Sequence, residues 1–298
     1  MNAPDEFSVR FWGVRGALAS ASPDTAKYGS NTACAEVTCG PHTLILDAGS
    51  GFRMLGNALM EGPRTHAHLF FTHCHYDHIS GLPFFAPFFS PDWEVDIWSG
   101  HLEGPDKTRT MMDAYMRPPF FPVGPEVFSA TLRHHDFEPG DRLEPEAGIA
   151  IRTALLNHHD RAVAYRIDWR GRSLAYVTDT THIPGKPDLT ILALIEGVDT
   201  MIYDATYTDA EFPKFWNFGH STWEEGARLA AAAGVGTYVP FHHRPSRSDA
   251  DLDRLAEEAR ETFADTVFAR EGQILKIGRR GTDAADDDAE DRITNQAC

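Results

Sequence analysis

The residues with the clearest capacity for chemistry form one short run at positions 72–78, with the sequence Thr-His-Cys-His-Tyr-Asp-His. His73 and His75 alternate, so in an extended loop they project to the same side. Asp77 and His78 follow as a second pair of potential ligands. Imidazoles together with a carboxylate suit Zn²⁺, Mn²⁺ or Fe²⁺. A metal centre is therefore the first hypothesis, and a histidine-rich surface loop is the alternative.

Side chains from elsewhere must complete such a centre, because one loop cannot close two metal sites. Three candidates each follow a predicted strand: His158, Asp179 and His242. A carboxylate such as Asp179 can bridge two ions about 3.5–4 Å apart. Taken singly, each of these residues would more often be structural. Together, at the ends of strands in one domain, they indicate a shared site.

The elements that would position these residues follow from the spacing of apolar residues and from turn signals. Strands are predicted at 7–12, 33–39, 43–47, 68–71, 94–98, 200–203 and 236–241, with four more within 131–178 and two short ones within 266–277. Helices are predicted at 50–60, 106–116, 188–196, 222–233 and 249–263. Both halves run from strands to a helix, which predicts one α/β domain over residues 1–280. Residues 281–298 are polar and acidic, which predicts a disordered tail.

Composition narrows the class of protein. The chain has 298 residues, with 44 acidic and 27 basic side chains and a net charge of −17. This charge, with only five lysines, argues against a nucleic-acid partner, because phosphate contacts rely on basic side chains. No stretch approaches the ~18 apolar residues of a membrane span. Because the amino terminus is acidic and lacks an apolar signal segment, we expect a cytoplasmic protein.

The motif H-x-H-x-D-H at His73, His75, Asp77 and His78, together with the order of the elements, resembles the metallo-β-lactamase-fold hydrolases over residues 7 to about 278. The resemblance implies an α/β fold in four layers, an αββα sandwich. It also implies two divalent metal ions, with Zn²⁺ in first place and Mn²⁺ or Fe²⁺ as alternatives.

The resemblance further implies which residues hold the ions. The ligands would be His73, His75 and His158 for one ion and Asp77, His78 and His242 for the other, with Asp179 bridging both. His158 is preferred to His159 because the distal histidine of the family precedes a Tyr-Arg-Ile strand segment by seven residues, as it does here. His242 is preferred to its neighbour because the ligand usually follows the last apolar residue of the strand. Asp47 resembles a family residue that orients a ligand imidazole, and an ordinary hairpin-to-helix turn is the alternative.

A Gly-His-Ser-Thr segment at 219–222 points to one branch of this superfamily. Ser221 and Glu224 have the spacing of a capping box. His220 would then stand just before a helix amino terminus, where an anion is attracted. The segment resembles tRNase Z and related small-molecule phosphodiesterases, including cyclic-nucleotide types. In those relatives the equivalent of His220 would be a general acid, with Asp204 as its partner.

The aspartate at position 179 argues against the true β-lactamases, which resemble this pattern but carry Cys there. The resemblance instead implies hydrolysis of a phosphodiester by two metal ions that lower the pKa of a bridging water toward about 7. Asp77 would orient or deprotonate that water, metal-bound hydroxide would attack phosphorus in line, and His220 would protonate the leaving oxygen.

The predicted substrate is a small phosphodiester, such as a cyclic nucleotide or cyclic phosphate, because nothing here matches the long basic arm with which tRNase Z binds tRNA. The segment 82–128 is rich in aromatic residues and proline, and Phe120 is a candidate substrate contact. The same aromatics are equally consistent with a core or a homodimer face. His243 and Arg244 are further candidates, because a guanidinium near the ions could grip a phosphate oxygen. An arginine that meets only solvent or carboxylates is the alternative.

Other chemistries share this ligand set. The sequence leaves open a thioester or lactone hydrolase of the hydroxyacylglutathione or acyl-homoserine-lactone type, which lacks a matching His-Ser-Thr helix entry. A mononuclear iron persulfide dioxygenase is another alternative, in which Asp77 and His78 would not bind metal. A non-catalytic protein that keeps the fold is disfavoured by the complete ligand set.

Overall fold

The computed structural model of the chain describes residues 5–104 and 107–278. Within these ranges the strands are β1 (Phe7–Gly13), β2 (Cys34–Cys39), β3 (His42–Leu46), β4 (His66–Phe71), β5 (Glu94–Ser99), β6 (Thr131–Asp136), β7 (Arg142–Leu143), β8 (Ile149–Leu156), β9 (Ala162–Trp169), β10 (Arg172–Val177), β11 (Thr200–Asp204), β12 (Thr237–Phe241) and β13 (Ile274–Lys276). The α-helices of the same ranges are α1 (Phe52–Met60), α2 (Tyr76–Ile79), α3 (Lys107–Tyr115), α4 (Leu189–Ile195), α5 (Phe212–Phe215), α6 (Trp223–Ala233) and α7 (Asp249–Thr262).

The strands form two sheets. The first has the order β13-β1-β2-β3-β4-β5-β6 and the second the order β12-β11-β10-β9-β8-β7. In the first sheet the pairing is antiparallel from β13 to β3 and parallel from β3 to β6. In the second sheet it is parallel among β10, β11 and β12 and antiparallel from β7 to β10.

The two sheets pack face to face, with helices on both outer sides. Phe70 of β4 and Tyr165 of β9 belong to the apolar core between the sheets. On the other side of the first sheet, Leu69 packs in a second core with Leu55 of α1 and with residues of α3. A third core joins α4 and α6 to the outer face of the second sheet. This arrangement confirms the predicted four-layered αββα sandwich.

Some local predictions differ from the structure. The segment 131–178 contains five strands rather than four, because the short β7 pairs with β8. The segment 266–277 contains one strand, β13, while Thr266 forms only an isolated bridge with Tyr238. The predicted tail at 281–298 lies outside the described residues. In the described ranges, no helix has both the length and the apolar character that a bilayer crossing requires.

The strand ends explain why distant residues can meet. Asp47 directly follows β3, His158 lies two residues beyond β8, and Asp179 lies two residues beyond β10. Asp204 ends β11, and His242 directly follows β12. The carboxyl ends of strands that run in the same direction share one edge of a sheet, which is where ligands commonly bind in open α/β sheets.

Candidate active site at the carboxyl edges of the sheets

The loop after β4 is anchored at its first residue. The backbone N–H of Thr72 donates to Asp47 Oδ1 at 2.8 Å, and the Thr72 hydroxyl donates to the same oxygen at 3.0 Å. His75 then stands at the amino end of α2, whose single turn carries Asp77 and His78. The histidine-rich motif is thus held on a short turn at the edge of the first sheet.

His73, His75 and His158 form one half of a cluster of potential metal ligands. His158 Nε2 lies 3.3 Å from His75 Nδ1. The ring centre of His73 lies 4.5 Å from that of His75 and 4.8 Å from that of His158. The His73 side chain is fully buried, whereas that of His75 is 40% exposed. The three residues predicted for one ion therefore do meet.

Asp77, His78 and His242 form the other half. His242 Nε2 lies 3.1 Å from Asp77 Oδ2 and 3.3 Å from His78 Nε2. Asp179 lies between the halves, with Oδ2 3.2 Å from His78 Nε2 and Oδ1 3.9 Å from His73 Nε2. Its carboxylate therefore faces both groups, as a bridging ligand would.

Each of these imidazoles also uses its second ring nitrogen outside the cluster. His78 Nδ1 donates to Asp47 Oδ2 at 2.8 Å, and His158 Nδ1 donates to the carbonyl oxygen of Gly219 at 2.9 Å. The remaining outer partners are Thr72 for His73, Asp160 for His75 and Thr206 for His242. With the outer nitrogens occupied, the inner nitrogens point at one another, and metal ligation needs these inner nitrogens unprotonated.

This donor set fits divalent ions. His73 Nε2 is buried and has no hydrogen-bond partner among the described residues. The Nε2 atoms of His78 and His242 face each other at 3.3 Å. Two lone pairs at this separation repel each other unless a proton or a cation lies between them. Imidazole nitrogen and carboxylate oxygen are ligands that Zn²⁺, Mn²⁺ and Fe²⁺ accept.

The backbone at this edge has an uncommon conformation. Asp47, Asp179 and His242 have φ values of 63°, 57° and 59°, in the left-handed region that non-glycine residues rarely adopt. Such strain persists where the surroundings impose it, often at functional sites. Gly16 closes one side of the cluster, and a Cβ there would lie 2.1 Å from the His242 ring. The site therefore depends on glycine at that close approach.

Burial and charge set the ionisation of the ligands. Burial lowers the pKa of His73 and of His158, which keeps both rings in the neutral, metal-binding form. Burial opposes ionisation of Asp179, but the charges of His242 and His78 outweigh it and hold the pKa of that carboxyl well below its usual range. Asp179 is therefore ionised and can act as an anionic ligand.

His220 lies beside the cluster and is paired with Asp204. Its Nδ1–H donates to Asp204 Oδ2 at 3.1 Å and lies 3.4 Å from Asp179 Oδ1. Burial works against protonation of His220, but the charge and hydrogen bond of Asp204 outweigh it, so its pKa rises to about 9. At neutral pH the ring is protonated, and Nε2 is the atom left to donate a proton to a ligand. The structure therefore places Asp204 within hydrogen-bond distance of His220, as the sequence predicted.

The helix after His220 begins differently from the prediction. Thr222, not Ser221, caps α6, accepting the backbone N–H of Glu225 at 3.1 Å. The Ser221 hydroxyl is used instead by His182 and Tyr203, at 2.8 and 2.9 Å. The first turn of α6 also carries acidic side chains. The predicted attraction of an anion to this helix end is therefore not supported.

The two histidines that directly follow His158 and His242 in the chain have different surroundings from those ligands. His159 is exposed, and its Nε2 donates to the carbonyl oxygen of Asn217 at 2.6 Å. His243 is fully buried, and its Nε2 donates to the carbonyl oxygen of Ala269 at 2.9 Å. The predicted substrate contact at His243 must be corrected, because its ring faces the protein interior and packs against Phe268. The cluster contains His158 and His242, as preferred from the sequence.

The remaining predicted contacts are Arg244 and Phe120. Arg244 Nη1 donates to Glu211 at 3.4 Å, and its guanidinium lies 4.7 Å from the ring centre of Phe215. Phe120 is 87% exposed and lines a cavity of about 650 Å³ together with Cys74 and ten other residues. Cys74 is next to His73 and His75 in the chain, but none of the cluster residues themselves lines this largely apolar cavity.

Several residues that support the cluster were not predicted from the sequence. Thr206 accepts His242 Nδ1–H at 3.0 Å, and Asp160 accepts His75 Nε2–H at 2.9 Å. The backbone N–H of Ala17 donates to Asp77 Oδ2 at 2.6 Å. Their only signal in the sequence is proximity to other site segments, such as the glycine-containing loop that precedes Ala17.

Comparison with known proteins adds three kinds of similarity. A family model described as "Beta-lactamase superfamily domain" matches residues 42–243. Ribonuclease Z of Mycobacterium avium is 26% identical over 263 residues, which cover 82% of this chain and 90% of that protein. Ribonuclease Z of Crocosphaera subtropica is 32% identical over 116 residues, which cover 38% of this chain. The matched region spans only 36% of the Crocosphaera protein's own length.

Solved structures share the fold at low sequence identity. The metallo-beta-lactamase fold protein YhfI from Bacillus subtilis has a TM-score of 0.68 and 17% identity, covering 91% of this chain and 99% of its own. Zn²⁺-bound PqqB from Methylobacterium extorquens has a TM-score of 0.66 and 15% identity, and the match covers 90% of this chain and 99% of the PqqB chain. A diphosphatase from the PhnP family has a TM-score of 0.65 and 18% identity, and the match covers 91% of this chain and 98% of the diphosphatase chain.

Proposed function

Because the chain belongs to the beta-lactamase superfamily domain family, we propose that it is a binuclear metal-dependent phosphodiesterase that hydrolyses a small phosphodiester. The pair formed by His220 and Asp204 beside the cluster carries this proposal. Cleavage of a phosphodiester expels an alkoxide, and a positioned acid that protonates it accelerates the step. The relatives named ribonuclease Z and the PhnP-family diphosphatase support phosphoester chemistry.

Two divalent ions would be held by the seven predicted ligands. Zn²⁺ is the first choice, with Mn²⁺ and Fe²⁺ as alternatives, and the Zn²⁺-bound neighbour PqqB supports zinc. When bound, such a pair polarises a phosphoryl oxygen and lowers the pKa of water.

The chain itself supplies orientation and a proton. Asp77 is fixed by the backbone N–H of Ala17 at 2.6 Å, so its carboxylate can orient the attacking water. His220 holds its proton because of Asp204, and its Nε2 would deliver that proton to the leaving oxygen. Asp204 in turn accepts the N–H and hydroxyl of Thr206, at 3.0 and 2.7 Å, which fixes the carboxylate.

The cavity lined by Cys74 and Phe120 supports a small substrate. Its volume of about 650 Å³ lies within the usual range of small-molecule sites, roughly 300–1,000 Å³. The lining includes Leu102, Met111, Tyr115 and Phe120, which suit a nucleobase or another flat apolar group. Lys107 is its sole basic lining residue among those described. A long polyanion is therefore a poor fit, and a cyclic nucleotide or similar phosphodiester is favoured.

Metal analysis combined with a substrate panel tests this proposal. The purified chain should contain at least two equivalents of metal and cleave bis(p-nitrophenyl) phosphate. The panel should contain 2′,3′- and 3′,5′-cyclic nucleotides, linear dinucleotides and unprocessed tRNA. We expect the small diesters to give the highest kcat/KM. Preference for tRNA would overturn the substrate class, and turnover of lactones or thioesters alone would overturn phosphodiester chemistry. One iron with oxygen consumption would indicate the dioxygenase.

A substitution in the cavity tests whether the cavity holds part of the substrate. Ala114→Phe would fill part of the space beside Met111, and we expect KM to rise about tenfold for substrates with a bulky apolar group. For dimethyl phosphate, which has no such group, the KM of the variant should equal that of the parent. Leu189→Ala is the matched control, because Leu189 is an exposed apolar side chain outside the cavity. The cytoplasmic location and a homodimer remain predictions from the sequence.

A further inference from the structure

A second group of histidines lies at the other end of the first sheet. His42 begins β3, and His66 and His68 lie on β4. Glu146, from the loop between β7 and β8 of the second sheet, reaches across to all three. His68 precedes Thr72 by four residues along β4, so the group lies roughly 13 Å from the start of the motif loop.

One carboxylate oxygen of Glu146 lies near a nitrogen of each of the three imidazoles. Glu146 Oε1 lies 3.2 Å from His68 Nε2, 3.6 Å from His66 Nδ1 and 3.6 Å from His42 Nδ1. Two of these separations exceed a hydrogen bond. Ligand atoms around a tetrahedral Zn²⁺ with bonds of about 2.0–2.1 Å are roughly 3.4 Å apart. The oxygen of Glu146 is therefore separated from each of the three nitrogens by about the distance between two ligands of one such ion.

His66 has the orientation that ligation requires. Its Nε2–H donates to Asp96 Oδ2 at 2.7 Å, which leaves Nδ1 unprotonated and facing Glu146. Asp96 is itself fixed, because its other oxygen accepts His135 Nε2–H at 2.5 Å. A carboxylate behind a histidine in this way is a recurring feature of metal sites.

His68 and the neighbouring arginine must also be accounted for. His68 Nδ1 accepts the indole N–H of Trp98 at 3.4 Å, so ligation through Nε2 moves a proton to Nδ1 and gives up this long contact. Arg64 lines the same cavity of about 120 Å³, but its N–H groups donate to Thr43 and to the carbonyl oxygen of Gly40. The cavity gives an ion access to His42, His66 and His68.

We propose that His42, His66, His68 and Glu146 form a second, structural metal site for Zn²⁺ or a similar transition-metal ion. Four protein ligands with no open position are typical of structural rather than catalytic zinc. The ion joins β3 and β4 of the first sheet to the β7–β8 loop of the second. It is independent of the reaction at the opposite edge.

Metal content tests this site directly. The full chain, loaded with Zn²⁺ and freed of excess, is compared with Glu146→Gln and His42→Ala by elemental analysis. We expect each variant to hold one equivalent less than the parent, while phosphodiester cleavage stays within twofold. Glu144→Gln, in the same loop, is the control and should keep the parent's content.

Cobalt supplies a second measurement. Co²⁺ at a four-ligand site absorbs visible light, and that band should weaken in Glu146→Gln but not in Glu144→Gln. Asp96→Asn should weaken Zn²⁺ binding at this site by about 10–100-fold. Circular dichroism checks that each variant is folded. Equal metal content and an unchanged cobalt spectrum in folded Glu146→Gln and His42→Ala would overturn the proposal.

Discussion

Asp47 accepts the Nδ1–H of His78 at 2.8 Å while its own backbone has a φ of 63°. The same carboxylate accepts Thr72 N–H and the hydroxyl of Tyr176, at 2.8 and 3.1 Å. It therefore fixes three groups at once: the ring of His78, Thr72 at the start of the motif loop, and Tyr176 near the end of β10. Asp47 is fully buried, so its effect on the site must pass through these partners.

Asp47→Asn tests this orienting role. Asparagine tolerates a left-handed backbone, but its NH₂ group cannot accept the hydrogen bonds that one carboxylate oxygen accepts now. We expect metal affinity and kcat/KM to fall about 10–100-fold. Metal titration and kinetics would measure this, with Asp168→Asn, whose side chain is partly exposed on β9, as control. Unchanged metal affinity would contradict the role.

His220→Ala tests the general acid. We expect kcat for linear dinucleotides to fall roughly 10²–10⁴-fold. The loss should be much smaller for bis(p-nitrophenyl) phosphate, whose leaving group needs little protonation, and metal content should not change. An equal loss for both substrates would count against proton donation.

The pH profile should report the pairing of His220 with Asp204. His220 must be protonated to act, so kcat should fall as pH rises through its pKa of about 9. Asp204→Asn removes the charge that raises this pKa, and the alkaline limb should move to lower pH. Asp204→Glu should keep the limb near its original position. If the alkaline limb of the pH profile does not move in Asp204→Asn, it reports the titration of a group other than His220.

Gly16→Ala tests the close approach to His242. The added Cβ would lie 2.1 Å from the ring, so the imidazole must move out of the cluster. We expect at least tenfold weaker metal binding with an intact fold. Gly62→Ala is the matched control, because the nearest atom there would be 3.4 Å away. Normal metal content in Gly16→Ala would mean that the loop yields instead of the ligand.

Arg244→Ala tests the predicted phosphate contact. Arg244 lies over Phe215 and next to Glu211, and losing a charge-assisted hydrogen bond should raise KM about tenfold or more. Arg152→Ala, which breaks an exposed ion pair with Asp168, is the control. If neither KM nor kcat changes in Arg244→Ala, the arginine only pairs with Glu211.

His101→Leu tests a buried ring that makes no hydrogen bond with the described residues. Burial lowers the pKa of His101 to about 3, so the folded state binds fewer protons than the unfolded state below pH 6.5. The parent therefore loses stability as pH falls from 6.5 toward 3. The variant should avoid about 2 kcal/mol of this loss at pH 5. Urea unfolding at pH 7.5 and pH 5 would measure it, with exposed His159→Leu as control.

The sequence was sufficient for the fold class and for most of the cluster, because strand ends and a dense histidine motif are local signals. It could not decide between Ser221 and Thr222 as helix cap, because His182 and Tyr203 take the Ser221 hydroxyl only in the folded chain. Nor could it show that His243 turns inward. The group around Glu146 was missed because its histidines are dispersed over two strands and meet their carboxylate from the other sheet.

The two halves of the cluster differ in their contact with solvent. The His75 side chain is 40% exposed, whereas His78 and His242 are fully covered. A cation bound through His75 would therefore exchange with a chelator or a competing metal more readily than one bound through His78 and His242. Partial chelation should consequently leave a form with one metal ion. Adding a different metal to that form, at the position beside His75, should then give a mixed pair.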